Sequence, residues 1–316
     1  MTLAAPPTTP TTPTPPTPPN ASGSRGPNAW LAALAVYRDP RLLAIFGMGF
    51  SSGLPFPITT TTLAYWLARD GLDKTSIGLF ALVGLPYSLK FLWAPFLDHW
   101  TLPGLASLGR RRGWIVVIQA ALVASIAALG FVDPRAAPLA TAAVVLAIAF
   151  FSATQDVAVD AYRIEILPDR EQGAGAAATQ AGYRAGMLAS GAGAIALADF
   201  TDWTEIYAGL AFLLAAAMVC VVLAPEPEPE RSSSGATNAP VAAEILGAYV
   251  APLRDIATWP RWPLVLAFAL LYKVGESVAG AMTSPFFVEL GFSGLEIASI
   301  TKIIGLAATV VGILAG

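Results

Sequence analysis

Eight long apolar stretches, separated by short charged loops, constrain this chain more than any other feature. They fall at about 42–67, 76–97, 114–132, 139–161, 174–198, 204–223, 262–288 and 296–316. Each approaches or exceeds the ~20 apolar residues that cross a bilayer as a helix, and they are too long for buried strands. Backbone amides in lipid have no water to bond with, so each span must satisfy its own hydrogen bonds, and helices do this. Only 12% of the 316 residues are charged, about half the share in a soluble domain. The expectation is an all-α membrane protein.

Orientation follows from where the basic residues lie. Eleven sit on one side: Arg25, Arg38, Arg41, Arg110, Arg111, Arg112, Arg163, Arg170, Arg231, Arg254 and Arg261. Only Arg69, Lys74 and Arg135 sit on the other. The N-terminus and the long loop after the sixth span are therefore expected in the cytoplasm. A net charge of −3 with no long basic tract argues against nucleic-acid binding. A single cysteine, Cys220, and a single histidine, His99, argue against a His/Cys metal site. No cofactor is expected.

The chain divides into four parts. Residues 1–40 are a tail and cytoplasmic flank; eight of the first 20 residues are proline, a composition with too little apolar surface to pack. Residues 41–224 carry six spans. Residues 225–261 form a cytoplasmic linker that opens on an acidic proline-rich run and holds a surface helix near 241–257. Residues 262–316 carry two more spans. The segment Gly71-Leu72-Asp73 to Ile77-Gly78 aligns with Gly291-Phe292-Ser293 to Ile297-Ala298. Six spans, a linker and the start of a second half resemble the plan of major facilitator transporters, which are built from repeats. The expected fold is a major facilitator-like bundle with about eight of twelve or more helices. Gly316 ends an apolar run with no basic flank, which reads as a second half lacking its last four spans; a protein of eight spans is the alternative.

Lys90, Asp156, Arg184, Lys273, Glu276 and Lys302 lie inside spans. Unpaired in lipid they would together cost on the order of 15 kcal/mol, so they must face protein or water. At a helical rise of about 1.5 Å per residue, Arg184 and Lys273 fall near the midplane, and Lys90 and Asp156 share a depth. Asp156 reads either as a proton-linked carboxylate or as half of a static pair with Lys90. Asp160 and Arg163, one turn and two turns along the same face, read as a gate pair or as a static one. Lys273 and Glu276 stand i,i+3 and can neutralise each other. In the fifth span Ala178, Gly182, Gly186, Ser190 and Ala194 form a stripe that permits close helix packing, with Arg184 on the opposite face. Ala308, Gly312 and Gly316 form a similar stripe, and the two are expected either to meet across the halves or to face lipid. In the first span Gly47, Gly49, Gly53, Pro55 and Pro57 predict a bent helix whose freed carbonyls line a cavity. Gly49-Phe50-Ser51-Ser52-Gly53 matches a hydrolase nucleophile motif, but inside a membrane span it lacks the strand-to-helix context that motif needs.

Several segments together resemble the AmpG-type muropeptide permeases. These are Gly53-Leu54-Pro55, Lys90-Phe91-Leu92-Trp93-Ala94-Pro95, the loop from Asp98 to Trp114 with Arg110-Arg111-Arg112, Ser152-Ala153-Thr154-Gln155-Asp156, Gly173-Ala174-Gly175-Ala176-Ala177 and Gly182-Tyr183-Arg184. In the linker and beyond, Ala251-Pro252-Leu253-Arg254-Asp255, Leu271-Tyr272-Lys273-Val274-Gly275-Glu276 and Lys302-Ile303-Ile304-Gly305-Leu306 also fit. The resemblance runs from about Asp39 to Gly316. It implies proton-driven import of anhydro-muropeptides across the bacterial inner membrane by alternating access, in the service of wall recycling. The expected site is Arg184, Lys273 and Lys302 on the anionic substrate, Lys90, Asp156 and Glu276 in proton coupling or ion pairing, and Asp98, Arg110, Arg111, Arg112, Asp160 and Arg163 in gating. The expected partners are that substrate, protons and the lipid bilayer. Other readings are a permease for another anionic solute, such as an acyl-coenzyme A or a peptide, and a truncated remnant that does not transport.

Overall fold

A computed structural model describes residues 39–99, 108–227, 250 and 254–299, and among these there is no strand. The elements are α1 (Pro40–Arg69), α2 (Lys74–Leu92, followed by a short helix Ala94–His99), α3 (Arg110–Leu129), α4 (Pro138–Ile166), α5 (172–197), α6 (Trp203–Leu223) and α7 (Trp262–Glu289). A further helix opens at Gly294–Ile297. Apart from α5, which is diluted by glycine and alanine, α1 to α7 are each long and apolar enough to cross a membrane. The eighth span expected at 296–316 lies almost wholly outside the described residues, as does most of the surface helix at 241–257.

The first helix is the centre of the bundle and its most buried member. It starts at Asp39, whose carboxylate accepts from the Arg41 backbone N–H at 2.8 Å and from the Arg41 side chain. Those hydrogen bonds hold the Asp39 carboxyl below its ordinary value. Pro55 and Pro57 split α1 into Pro40–Gly53, Pro55–Thr59 and Thr61–Arg69. The bend agrees with the sequence. The Phe56 carbonyl oxygen accepts from the hydroxyls of Thr59 and Thr60, at 2.9 and 2.8 Å. Side chains satisfy that carbonyl because the Thr60 backbone N–H turns to the Pro57 carbonyl instead.

Helix α5 packs on α1 along a seam of glycines. A methyl group added at Gly182 would strike the Phe46 carbonyl oxygen and lie 2.8 Å from the Phe50 nitrogen. At Gly186 it would meet the Phe50 carbonyl oxygen, at Gly49 the backbone of Thr179, and at Gly53 the backbone of Tyr183. The two backbones therefore touch directly, the arrangement small-residue stripes permit. At Gly182 and Gly186 the stripe of α5 is occupied by α1; the stripe Ala308, Gly312 and Gly316 expected to meet it lies outside the described residues. Around Ser190 of the stripe, α5 widens into a π-helical turn, Leu188–Gly193. The Thr62 hydroxyl of α1 donates to the Ser190 carbonyl there at 2.7 Å.

The repeat that aligns Gly71 with Gly291 is visible bond by bond. After α1, the N–H groups of Asp70, Gly71 and Leu72 donate to the carbonyls of Trp66, Ala68 and Leu67. After α7, those of Leu290, Gly291 and Phe292 donate to Phe286, Val288 and Phe287. Both turns pass through a glycine in the left-handed region, φ +78° at Gly71 and +80° at Gly291. Two residues later each reaches an N-cap side chain, Asp73 or Ser293. This is the glycine-terminated helix end followed by a capped helix start, used twice.

Candidate functional site

Lys90 is in the last 3₁₀ turn of α2 and Asp156 is in the middle of α4. Lys90 Nζ lies 3.9 Å from Asp156 Oδ2, with 38% and 17% of the two side chains exposed. That separation is a loose ion pair and too long for a hydrogen bond. Both groups are placed to face each other without being locked. Tyr87 and Tyr183 are near enough to feel the Asp156 charge, and the Tyr87 hydroxyl stands 3.4 Å from that of Thr59 on α1.

Behind Asp156 is a buried polar network absent from the expected site. Gln155 Nε2 and Gln119 Nε2 both donate to Ser51 Oγ at 2.7 Å, and Ser51 Oγ donates to the Met48 carbonyl at 2.7 Å. Gln119, Gln155 and Ser51 have no exposed surface. One hydroxyl thus ties α1, α3 and α4 together immediately beside the central carboxylate. Gln119 carried a signal: it is the lone amide in the run Trp114–Leu129. Ser51 was obscured by its hydrolase-like motif.

Arg184 is on α5 opposite the glycine seam and is exposed. It makes no ion pair with any described residue. Lys273 is on the exposed stretch of α7. Glu276 falls in α7 and Asp98 in the short helix Ala94–His99, but their side chains lie outside what is described. Lys302 is also outside the described residues.

Arg110, Arg111 and Arg112 open α3 and are each held by partners on α4, on α6 or just after α6. Arg111 Nε is 3.0 Å from both carboxylate oxygens of Glu165 at the end of α4, and Arg110 reaches the same carboxylate at 3.3 Å. The Arg111 and Arg112 backbone N–H groups donate to Glu226, at 2.9 and 3.2 Å. Arg112 Nε donates to the Val221 carbonyl at the end of α6 at 3.1 Å. The Tyr162 hydroxyl donates to the Pro225 carbonyl at 2.6 Å. A carboxylate at a helix N-terminus and a guanidinium at a helix C-terminus both complement the helix dipoles. These contacts bind α3, α4 and α6 to one another inside the first six helices. They also bring residues 225–227, read from the sequence as linker, onto the six-helix body. Arg163 and Asp160 are 3.8 Å apart on one helix, so that pair joins no two elements.

The sequence pattern of the Major Facilitator Superfamily matches residues 42–316. The chain belongs to this superfamily. Among curated relatives, an anhydromuropeptide permease from Escherichia coli strain K12 is 40% identical over 285 residues, covering 90% of this chain and 56% of the relative. A putative transporter AmpG 4 from Rickettsia felis is 34% identical over 283 residues, covering 89% of this chain and 68% of the relative. The chain therefore spans about half the length of the Escherichia coli relative it matches. Superfamily membership and the apolar helices make it a multi-pass membrane protein. The Lys90–Asp156 pair, the Gln119–Ser51–Gln155 network and Arg184 all lie within the matched region.

Proposed function

We propose that the complete protein is a proton-coupled importer of anhydro-muropeptides in the bacterial inner membrane. The observation that carries this is the 40% identity over nine-tenths of the chain to an anhydromuropeptide permease. The polar geometry agrees with the reading. Muropeptides carry carboxylates, and Arg184 offers an exposed guanidinium with no described ion-pair partner, suited to a bidentate contact. Lys273 and Lys302 are the further cations assigned to the substrate. Asp156, loosely held by Lys90, is assigned to the proton, with Glu276 as a second carboxylate. Both charges must exchange partners during a cycle, and a 3.9 Å pair permits that more readily than a bidentate one. The N-terminus and the Arg110–Arg112 end face the cytoplasm in this reading, as the excess of basic residues there favours. Residues 41–224 act as one half, 225–261 as the link, and 262 onward as the start of the other half. The two rock to expose the site to each side in turn.

The test is uptake of labelled anhydro-muropeptide by cells that lack their own permease and express the complete protein. Competition by unlabelled anhydro-muropeptide, and none by an acyl-coenzyme A or a plain peptide, is the expected result. Arg184→Ala should reduce uptake at least about tenfold at unchanged membrane abundance, since a bidentate charge-assisted contact is lost. Retained uptake in that variant would remove Arg184 from the substrate site.

A further inference from the structure

At the end of the bundle opposite the arginines, the two repeat-related turns face each other. Lys74, the first residue of α2, pairs with Glu289, the last of α7, at 2.9 Å. Ser284 of α7 adds a hydrogen bond to the Thr61 carbonyl at 3.3 Å. From there α7 leaves the first six helices: it is buried at Ser284 and Pro285 and exposed over 262–275. So the described contacts of α7 with the first half gather at this one end.

The repeat gives each partner of the Lys74–Glu289 pair a counterpart in the other turn. With Gly71 aligned on Gly291, the counterpart of Glu289 is Arg69, and that of Lys74 is Gly294. The symmetry-related contact would join Arg69 to residue 294, and glycine has no side chain with which to make it. Asp199, in the turn between α5 and α6, stands in the gap. Its Oδ1 accepts from Arg69 Nη1 at 2.8 Å, and its Oδ2 accepts from the Leu295 backbone N–H at 2.9 Å. Arg69 is further held by the Tyr65 hydroxyl at 3.2 Å. Gly294 itself is pressed close: a methyl group there would lie 2.9 Å from the Tyr65 hydroxyl and 3.1 Å from Asp199 Oδ2. The glycine thus serves the close approach that brings the Leu295 N–H to the carboxylate.

We infer that Asp199 is a latch between the two halves, holding this end shut by bridging Arg69 of the first half to the Leu295 amide of the second, beside the Lys74–Glu289 pair. The inference rests on the transporter reading but on no particular substrate. The bridge has the properties a latch needs. Arg69 and Asp199 both belong to the first half, so their pair persists and aims the carboxylate, and the Leu295 bond alone must break when the halves part. Asp199 is partly exposed, so water replaces the Leu295 amide when the end opens, and the break is cheap enough to recur in each cycle. Asp199 belongs to the first half, whereas its amide partner belongs to the second, so the bond cannot survive separation of the halves.

The test is a distance measurement that needs no substrate. Spin labels at Thr75→Cys and Leu290→Cys, in the complete protein stripped of other cysteines, report the separation at this end. A second pair at Arg170→Cys and Thr258→Cys reports the arginine-rich end. Asp199→Ala should raise the open-to-closed ratio at the latch end roughly three- to tenfold, the range for losing a charge-assisted bond at a partly exposed site. The arginine-rich end should close in step, a coupled movement that mere local loosening would not produce. Asp199→Asn keeps an acceptor for Leu295 and loses the ion pair, so it should shift the ratio less, and Arg69→Gln should match it. If Asp199→Ala does not fold, Asp199→Asn decides. Distributions at both ends that superimpose on the parent's in these variants would overturn the latch. Failure of the muropeptide assignment would show in uptake and leave these distances unchanged.

Discussion

Gly182→Ala should destabilise the protein by about 2–3 kcal/mol, the upper part of the range for an overpacked site. Helix propensity alone predicts the opposite sign, because alanine in a helix interior is about 1 kcal/mol better than glycine. The seam overrides that preference. The new methyl group would lie against the Phe46 carbonyl and 2.8 Å from the Phe50 nitrogen, and both are backbone atoms that no rotamer change can move aside. Helices α1 and α5 would have to separate along their whole contact. Gly173→Ala is the matched control, at the start of the same helix with nothing within 4 Å of its added methyl. Thermal unfolding in detergent should show a midpoint lowered by several degrees for Gly182→Ala and unchanged or raised for Gly173→Ala. Equal behaviour of the two variants would mean that the backbones do not meet as described.

Asp156→Asn should abolish accumulation of substrate against its gradient, a loss of at least about tenfold, the least expected for a group that must change protonation state in every cycle. Exchange of substrate across the membrane at equal pH should persist. The reason is local. Asparagine keeps the size and much of the hydrogen bonding of the carboxylate, so the neighbouring Gln119–Ser51–Gln155 bonds have no cause to change. What it loses is the charge that faces Lys90 and the capacity to carry a proton. A purely structural ion pair predicts a different pattern, in which accumulation and exchange fall together with the amount of folded protein. Full accumulation by Asp156→Asn would move the proton to another carboxylate, Glu276 first.

A membrane sequence carries some physical signals plainly and others not at all. Span positions were legible because insertion demands long apolar runs. The turn after α1 could be matched to the turn after α7 because glycine and a capping side chain recur at the same spacing in both. The facing of Lys90 and Asp156 was legible from depth alone, since charges in lipid have few acceptable arrangements. The partner of the α5 stripe was not. Small residues announce that a backbone comes close without saying which one, although Gly49 and Gly53 in α1 were available to choose. The partners of the arginine loop were hidden for a related reason. Counting Arg110, Arg111 and Arg112 bears on the expected sidedness, but Glu165 and Glu226, which hold them, carry no mark of their own among the other acids. Glu226 was further hidden in a proline-rich run that reads as linker. Asp199 lies in a short turn and gains its meaning only when the turn after α7 is brought beside it.

Coupled transport is the central claim, and one measurement reaches it directly. The complete protein, purified and reconstituted into liposomes, should be given labelled anhydro-muropeptide outside and a pH gradient that is alkaline inside. Accumulation inside above the external concentration is the expected result, collapsing when a protonophore removes the gradient. Equal entry with and without the gradient would contradict proton coupling, and no entry under either condition would contradict the permease assignment itself.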